Sequence, residues 1–253
     1  MQDKCWYKTG WSLDMKHQTW TEDTENQVEF IIQALQLQGG ERILDLACGY
    51  GRHALAFARR GFCVVGVDIT QELVDDASES ALKHGLNATF ICADIRAVEF
   101  ESEFDVVLNL ADGAIGYLET DEENLKIFDV IARALKPGGK HFMDICNAEH
   151  AQRFFPKRHW QLGEKELALA AFDWDGETRR MRFGGGSIRL GEVAQAPVIV
   201  PQNPTRLYTK DELTSILQAR GMEILRVFSD YTGKPHTSKE LQLLVCAEKR
   251  QHS

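Results

Sequence analysis

The sequence predicts an α/β protein: a doubly wound, mostly parallel sheet carrying a small antiparallel β insertion ahead of its last elements. Three observations predict it. From Arg42 onward, apolar runs of strand length alternate with runs of helical spacing. The strand-like runs are continuously apolar rather than alternating, as strands buried on both faces are. Helical periodicity is then missing between about residues 160 and 206, where turn residues gather. A chain of 253 residues buries one substantial core. It reads as a single domain over 1–253, with an arm and helix at 1–38 and a core at 39–157. A β insertion at 158–206 and closing elements at 207–253 complete it.

Residues 1–21 are polar yet carry Trp6, Tyr7, Trp11 and Trp20, which suits an arm folded over something apolar. A helix follows, presenting Val28, Phe30, Ile31, Ile32, Leu35 and Leu37, and is expected to end at Gly39-Gly40. Arg42-Ile43-Leu44-Asp45-Leu46 is the first strand, and a helix over 52–60 stops at Gly61. Phe62-Cys63-Val64-Val65-Gly66-Val67 is a β-branched second strand. Thr70 is placed to cap the next helix, with Glu72 in its first turn and Lys83 and His84 near its end. Thr89-Phe90-Ile91-Cys92 is the third strand, and Phe104-Asp105-Val106-Val107-Leu108-Asn109-Leu110 the fourth. Thr120-Asp121-Glu122-Glu123 reads as a capping box for a helix that Lys136-Pro137-Gly138-Gly139 ends sharply. His141-Phe142-Met143-Asp144-Ile145 is the fifth strand.

Beyond it, residues 167–172 and 179–183 read as a hairpin turned at Asp175-Gly176, and Pro197, Pro201 and Pro204 break up the stretch after it. Thr209-Lys210-Asp211-Glu212 is a second capping box, opening a helix through Leu213, Ile216 and Leu217 that stops at Gly221. Strands at 223–229 and 241–248 close the chain.

Composition narrows the function. The net charge of −9 weighs against a large nucleic acid as substrate, since phosphate binding favours a basic field. Arg179, Arg180, Arg182 and Arg189 do cluster, a pattern that solvated hairpin faces also give. No run of about 18 apolar residues offers a membrane span. The charged N-terminus does not read as a signal peptide. The six cysteines form no C-x-x-C pair, so neither a zinc site nor a redox dithiol is signalled, and no metal is expected. Five lie in or beside strand-like runs, which suits buried free thiols in a reducing cytoplasm.

The chemistry concentrates at three strand ends. Asp45-Leu46-Ala47-Cys48-Gly49-Tyr50-Gly51 is a small-residue turn between a strand and a helix. Its two glycines let the backbone approach a ligand, and the helix offers free N–H groups and a positive dipole end. Such a turn marks the ligand-binding edge of a doubly wound sheet. Asp68 ends the second strand, 17 residues after Gly51, close to the roughly 20 expected for an acid gripping ribose hydroxyls. Asp94 follows the third, where a carboxylate can accept from an adenine amine while Ile69 and Ile95 flank the ring. Gly49, Gly51 and Ala54 also imitate a G-x-G-x-x-A dinucleotide fingerprint, so the turn by itself leaves a nicotinamide enzyme open.

With these motifs the sequence resembles the class I S-adenosylmethionine-dependent methyltransferases. The matching stretches are Ile43 through Gly51, Val67-Asp68, Ala93-Asp94, Phe104-Asp105-Val106-Val107 and Leu135-Lys136-Pro137-Gly138-Gly139. The acid in Ala93-Asp94 and the Lys136-Pro137-Gly138-Gly139 turn favour this family over a dehydrogenase. The resemblance implies a seven-stranded sheet of order 3-2-1-4-5-7-6 with strand seven antiparallel. It also implies S-adenosylmethionine as cofactor and S-adenosylhomocysteine as product. Where the family often has glycine, Ala47 stands here. Implied cofactor-binding residues are Asp45, Ala47, Cys48, Gly49, Gly51, Asp68, Ile69, Asp94, Ile95 and Asn109. Gly116-Tyr117, Phe154-Phe155-Pro156, Arg206-Leu207-Tyr208-Thr209 and Tyr231-Thr232-Gly233 are further similar to a broad, largely unassigned group of bacterial methyltransferases, which supplies no substrate.

In such enzymes the segment after strand four faces the transferred methyl. Here it reads Asn109-Leu110-Ala111-Asp112-Gly113, not the Asn/Asp-Pro-Pro-aromatic motif that holds a planar amine, and no Pro-Cys thiolate motif exists. Positioning and desolvation carry most of a methyl transfer, so no catalytic dyad needs to be visible, and none is assigned. Acceptor-side candidates are Asp112, Tyr117, His150, His159, Arg206, Tyr208, Tyr231 and His236, with Arg206 and Tyr208 foremost. The reading is methylation of O or N on a small molecule, with the insertion covering the acceptor. The alternatives are tRNA or protein methylation through the arginine cluster, or a non-catalytic cofactor-binding module. A homodimer through the insertion is also admitted.

Overall fold

The computed structural model describes residues 5–164, 166–191 and 203–251. Pro197 and Pro201 lie outside them.

Seven strands form the main sheet: β1 (Arg42–Leu46), β2 (Cys63–Asp68), β3 (Ala88–Cys92), β4 (Phe104–Asn109), β5 (Leu135–Cys146), β10 (Met222–Phe228) and β11 (Gln242–Lys249). Their order is β3-β2-β1-β4-β5-β11-β10. Counting β10 and β11 as the sixth and seventh core strands, this is 3-2-1-4-5-7-6. β1 to β5 pair in parallel, and β11 runs antiparallel to both β5 and β10. This is a Rossmann-like sheet.

Strand residues alternate between two cores, as a period of two requires. Leu44, Leu46, Val65 and Val67 meet Phe128 and Ile131 of α4 (Asp121–Ala134) and Leu213 and Leu217 of α6 (Lys210–Gln218). Ile43, Val64, Val106 and Leu108 meet Val28 and Ile31 of α1 (Thr24–Leu35) and Ala54 and Phe57 of α2 (Arg52–Arg59). Both faces are therefore dry, and the continuous apolar strands have their reason. A helix α3 (Gln71–Lys83) joins β2 to β3. Among the described residues no helix is long and apolar enough to cross a membrane.

Among the described residues the antiparallel insertion is a second sheet of four strands, β6 (Lys157–Leu162), β7 (Glu166–Asp175), β8 (Arg180–Arg189) and β9 (Asn203–Arg206), in sequence order. It comes after a short helix α5 (Ala148–Phe154) that the residue pattern does not announce.

Several local expectations need correction. The first helix ends before its glycines: Gln36 takes a left-handed φ of 54° and caps it. Thr120 accepts the Glu123 N–H, but the reciprocal half of that box is absent, because the Glu123 carboxylate is held by Arg96 and Lys126. Thr70 stands at an N-cap without a side-chain bond, and Asp68 takes its N–H instead. The Lys136-Pro137-Gly138-Gly139 segment lies inside β5, where the register against β4 shifts. The hairpin turn is longer than Asp175-Gly176: Asp175 accepts from the N–H groups of Glu177 and Thr178, and Arg179 turns the chain back at φ 55°. The six cysteines form no disulfide among the described residues, but only Cys246 is buried and Cys92 is exposed.

Candidate active site

At the carboxyl end of β1 the chain cannot continue straight into α2. Ala47, Gly49 and Gly51 all take positive φ, at 58°, 56° and 73°. Gly51 has a second reason: a Cβ there would lie 2.7 Å from the Phe90 ring of β3. Ala47 adopts the left-handed region at the cost an L-residue bears there. The turn is tied to β2. Cys48 N–H donates to the Val67 carbonyl at 3.1 Å, and Gly49 N–H donates to Asp68 Oδ2 at 2.8 Å. Asp68 Oδ1 accepts from Thr70 N–H at 2.9 Å. Asp68 is thus a brace of the turn as well as a wall of the space before it.

That space is a cavity of about 900 Å³ including its open mouth. Of the residues expected at a cofactor, Asp45, Ala47, Cys48, Gly49 and Asp68 line it on the turn side, and Ile69, Asp94 and Ile95 on the β2 and β3 side. Gly51 and Asn109 do not. Gly51 begins α2 behind the turn. Asn109 is fully buried and donates from Nδ2 to the Gly113 carbonyl at 2.8 Å, holding up the loop after β4.

Two acids have unexpected surroundings. Asp45 is buried with Oδ2 unpartnered, and burial pushes its carboxyl up to about 7, against the pull of Arg52. Asp94 is gripped by Arg96, whose Nη2 lies 2.5 Å from Oδ2, and this bond holds the carboxyl below its usual range. Arg96 also reaches Glu119 and Glu123, so three acids share it.

The roof comes from the N-terminal arm, three 3₁₀ turns over Trp6–Lys8, Leu13–His17 and Thr19–Thr21. Tyr7, Trp11, Met15 and Trp20 line the cavity, so three of the four aromatics that looked displaced in a polar segment face it. Tyr7 fastens the arm by donating to Glu119 Oε1 at 2.8 Å. None of these is singled out as a site residue by the sequence, although the aromatic spacing signals a cover. Arg52 and His53 are also missed there, because the turn draws attention to its glycines and acids. Arg52 donates to Thr24 Oγ1 and Gln27 Oε1, both at 2.7 Å, and lies over the Trp20 ring. His53 is buried with Nε2 2.9 Å from Gln27 Oε1, and burial drives its pKa well below the ordinary histidine value.

The opposite wall is the loop after β4, where Ala111, Asp112, Gly113, Ala114 and Gly116 all have positive φ. This winding turns Tyr117 into the cavity lining, and its Oη donates to Asp112 Oδ2 at 3.0 Å. Asp112 Oδ1 accepts the Cys146 N–H at 3.1 Å, and burial raises the Asp112 carboxyl. Behind it, Tyr231 Oη donates to Asp144 Oδ2 at 2.8 Å, and burial pushes Asp144 up to about 7.

Of the acceptor-side candidates, Tyr117 lines this cavity, Asp112 and Tyr231 stand behind it, and the others are not brought to it. Arg206 and Tyr208 line a separate open groove, where Arg206 pairs with Asp121 at 3.3 Å and Glu212 at 2.6 Å. His236 lies 3.5 Å from Glu149, His150 Nδ1 lies 2.7 Å from the Lys239 carbonyl, and His159 is exposed on β6.

A methyltransferase-domain family model matches residues 43–139, the stretch that builds the turn, Asp68, Asp94 and the loop after β4. The chain is a class I S-adenosylmethionine-dependent methyltransferase. Its cofactor is S-adenosylmethionine, which removes the nicotinamide alternative. Among relatives, this methyltransferase is 27% identical over 215 residues to the cypemycin N-terminal methyltransferase of a Streptomyces species, covering 83% of this chain and 84% of that one. It is 30% identical over 122 residues to a ubiquinone biosynthesis O-methyltransferase of Coxiella burnetii, covering 48% of this chain and 50% of that one. The solved CcbJ methyltransferase from Streptomyces caelestis superposes with a TM-score of 0.74 at 18% identity, covering 98% and 96%.

Proposed function

We propose that this methyltransferase transfers a methyl group to O or N of a small-molecule acceptor, both ligands sharing the cavity between the turn, the arm and the loop after β4. The observation that carries the reading is the arm itself: its Tyr7, Trp11 and Trp20 line the same cavity as the turn and Tyr117. Relatives named as a ubiquinone biosynthesis O-methyltransferase and a cypemycin N-terminal methyltransferase are in keeping with it.

The residues present fit the cofactor. Asp45 Oδ2 is a buried acceptor without a partner, and the backbone of Ala47, Cys48 and Gly49 fronts the cavity without bulky side chains. In this reading Asp68 accepts ribose hydroxyls, Ile69 and Ile95 flank the adenine, and Asp94, held by Arg96, accepts from its amine. Arg52 takes the carboxylate of the methionine part, and Gly51 and Asn109 act by shaping the turn and the loop. S-adenosylmethionine, when bound, supplies a methyl group on a positively charged sulfur. The chain supplies orientation and a dry site, and its aromatic walls favour positive charge. Isothermal titration with S-adenosylhomocysteine tests the seat: one site of micromolar affinity is expected, and an absence of heat sinks the reading. An acceptor screen with products weighed by mass tests the transfer.

For tRNA or protein methylation the arginine cluster would have to be available, yet Arg179 pairs with Glu212 and Arg180 with Asp121. A non-catalytic module remains distinguishable by tight binding without homocysteine-containing product. The dimer proposed with this function uses β6, the edge strand of the insertion, on which Trp160 and Leu162 are exposed. Light scattering of the wild type against a Trp160→Lys variant checks it. The compartment proposed is the cytoplasm, in keeping with cysteines that form no disulfide among the described residues.

A further inference from the structure

We infer that Tyr117 and Asp112 form the acceptor subsite and that its occupant is an amine nitrogen, not a phenol or a carboxylate. This deepens the methyl-transfer reading above and rests on it.

Donors and acceptors come first. The Tyr117 hydroxyl spends its one proton on Asp112 Oδ2 at 3.0 Å. What it offers the cavity is therefore lone pairs alone, and the group that meets it must be a donor. Asp112 is fixed from behind by the Cys146 N–H on Oδ1, and its own N–H donates to the Asp144 carbonyl at 2.8 Å. The pair is held rigidly, as the run of left-handed residues around it requires.

Charge points the same way. The groups facing Asp112 are Tyr117, the Cys146 thiol and Asp144, and Asp144 in turn faces Tyr231 and Arg52. The one guanidinium near Asp144, that of Arg52, is itself engaged by Thr24 and Gln27. An ionised Asp112 repels an anionic acceptor and draws in a cationic one. The Tyr117 ring is part of an aromatic cluster, with the Trp6 centroid at 4.7 Å and the Trp11 ring stacked at 6.4 Å. Such faces stabilise an ammonium group.

The chemistry balances without a further reagent. An ammonium N–H proton passes to Tyr117 Oη as the Tyr117 proton passes to Asp112 Oδ2. The N–H bond breaks and its electron pair stays on nitrogen as the nucleophilic lone pair. The positive ammonium and the negative carboxylate become a neutral amine and a neutral carboxylic acid. Burial, which raises the Asp112 carboxyl, makes it the better proton acceptor. Tyr117 is then the catalytic residue and Asp112 the positioning residue that acts through it.

Benzylamine, benzyl alcohol and benzoate are matched probes of nearly one shape. Each is titrated against the full chain, with and without S-adenosylhomocysteine. The expected result is benzylamine at least tenfold tighter than benzyl alcohol, with benzoate weakest. Asp112→Asn should abolish that preference while S-adenosylhomocysteine affinity stays within about twofold. Tyr117→Phe keeps the ring and removes only the hydroxyl, so it guards against a misfolded Asp112 variant and should also lose the preference. Equal affinity for the three probes, or an amine preference that survives both substitutions, overturns the inference. Failure of S-adenosylhomocysteine to bind the wild type condemns the cofactor seat instead, and the ligand-free titrations still decide the amine subsite.

Discussion

Asp68 shows why a site residue is rarely a site residue alone. Its two oxygens already accept from Gly49 N–H and Thr70 N–H, so the acid that would hold ribose also holds the turn in place. Asp68→Ala removes both, and should weaken S-adenosylhomocysteine binding at least tenfold, about 1.4 kcal/mol, together with a loss of thermal stability. Calorimetric titration alongside thermal melting checks the pair; unchanged affinity would remove Asp68 from the cofactor seat. Asp45 and Asp144 make a different point. Both are buried carboxyls pushed up to about 7, from a usual value near 4, chiefly by loss of hydration. Between those values the folded chain binds more protons than the unfolded chain, so stability is fully present below about pH 4 for these two groups and declines as pH rises through 7. Melting of the ligand-free protein should therefore occur at lower temperature at pH 8 than at pH 5.5. Asp144→Asn should flatten that slope, and a melting temperature indifferent to pH in both proteins would contradict the assignment.

Among the elements, those whose ends are set by their own side chains were legible in the sequence. Thr209 and Glu212 form both halves of the capping box that the spacing announced. Thr209→Ala should accordingly destabilise the chain by about 1 kcal/mol, read as a shift of the denaturation midpoint at constant slope. Thr120 carried the same spacing, but Arg96, 27 residues from Glu123 along the chain, took the carboxylate. No local pattern records a competitor that arrives through tertiary structure. The arm divides in the same way. Its aromatics declared that something would be covered, whereas the bond from Tyr7 to Glu119 joins residues 112 apart and left no trace in spacing. Arg52 and His53 are the first residues after the glycine turn, and nothing in their spacing marks them as part of the cavity lining, which the fold alone creates. Tyr7→Phe should loosen the roof and speed release of bound S-adenosylhomocysteine several-fold in stopped-flow fluorescence of the arm tryptophans; an unchanged rate would show that the arm is held elsewhere.

At the scale of the molecule, patterning predicted a mostly parallel sheet because continuously apolar strands need two dry faces, whereas the strand order came from the family resemblance. The placement of the insertion did not follow. Arg206 and Tyr208 looked like acceptor-side residues because they stand where the insertion rejoins the core, yet their side chains turn to a separate groove. Their link to the active site is through the backbone. Arg206 N–H donates to the Gly116 carbonyl at 2.8 Å, and Gly116, at φ 88°, belongs to the loop that presents Tyr117. The approach is so close that a Cβ on Gly116 would fall 2.0 Å from the Arg206 carbonyl oxygen. Neither backbone can yield without moving its own element, because Arg206 is anchored by Asp121 and Glu212 while the loop is anchored by Asn109. Gly116→Ala must then push the insertion and the acceptor loop apart, adding strain from the left-handed φ. The expected outcome is a destabilisation of roughly 2 kcal/mol or more in denaturant unfolding, with acceptor turnover falling much further than S-adenosylhomocysteine affinity. Equal losses in both would mean that the insertion supports the whole site; a loss confined to turnover locates its contribution at the acceptor wall, beside the Tyr117 ring.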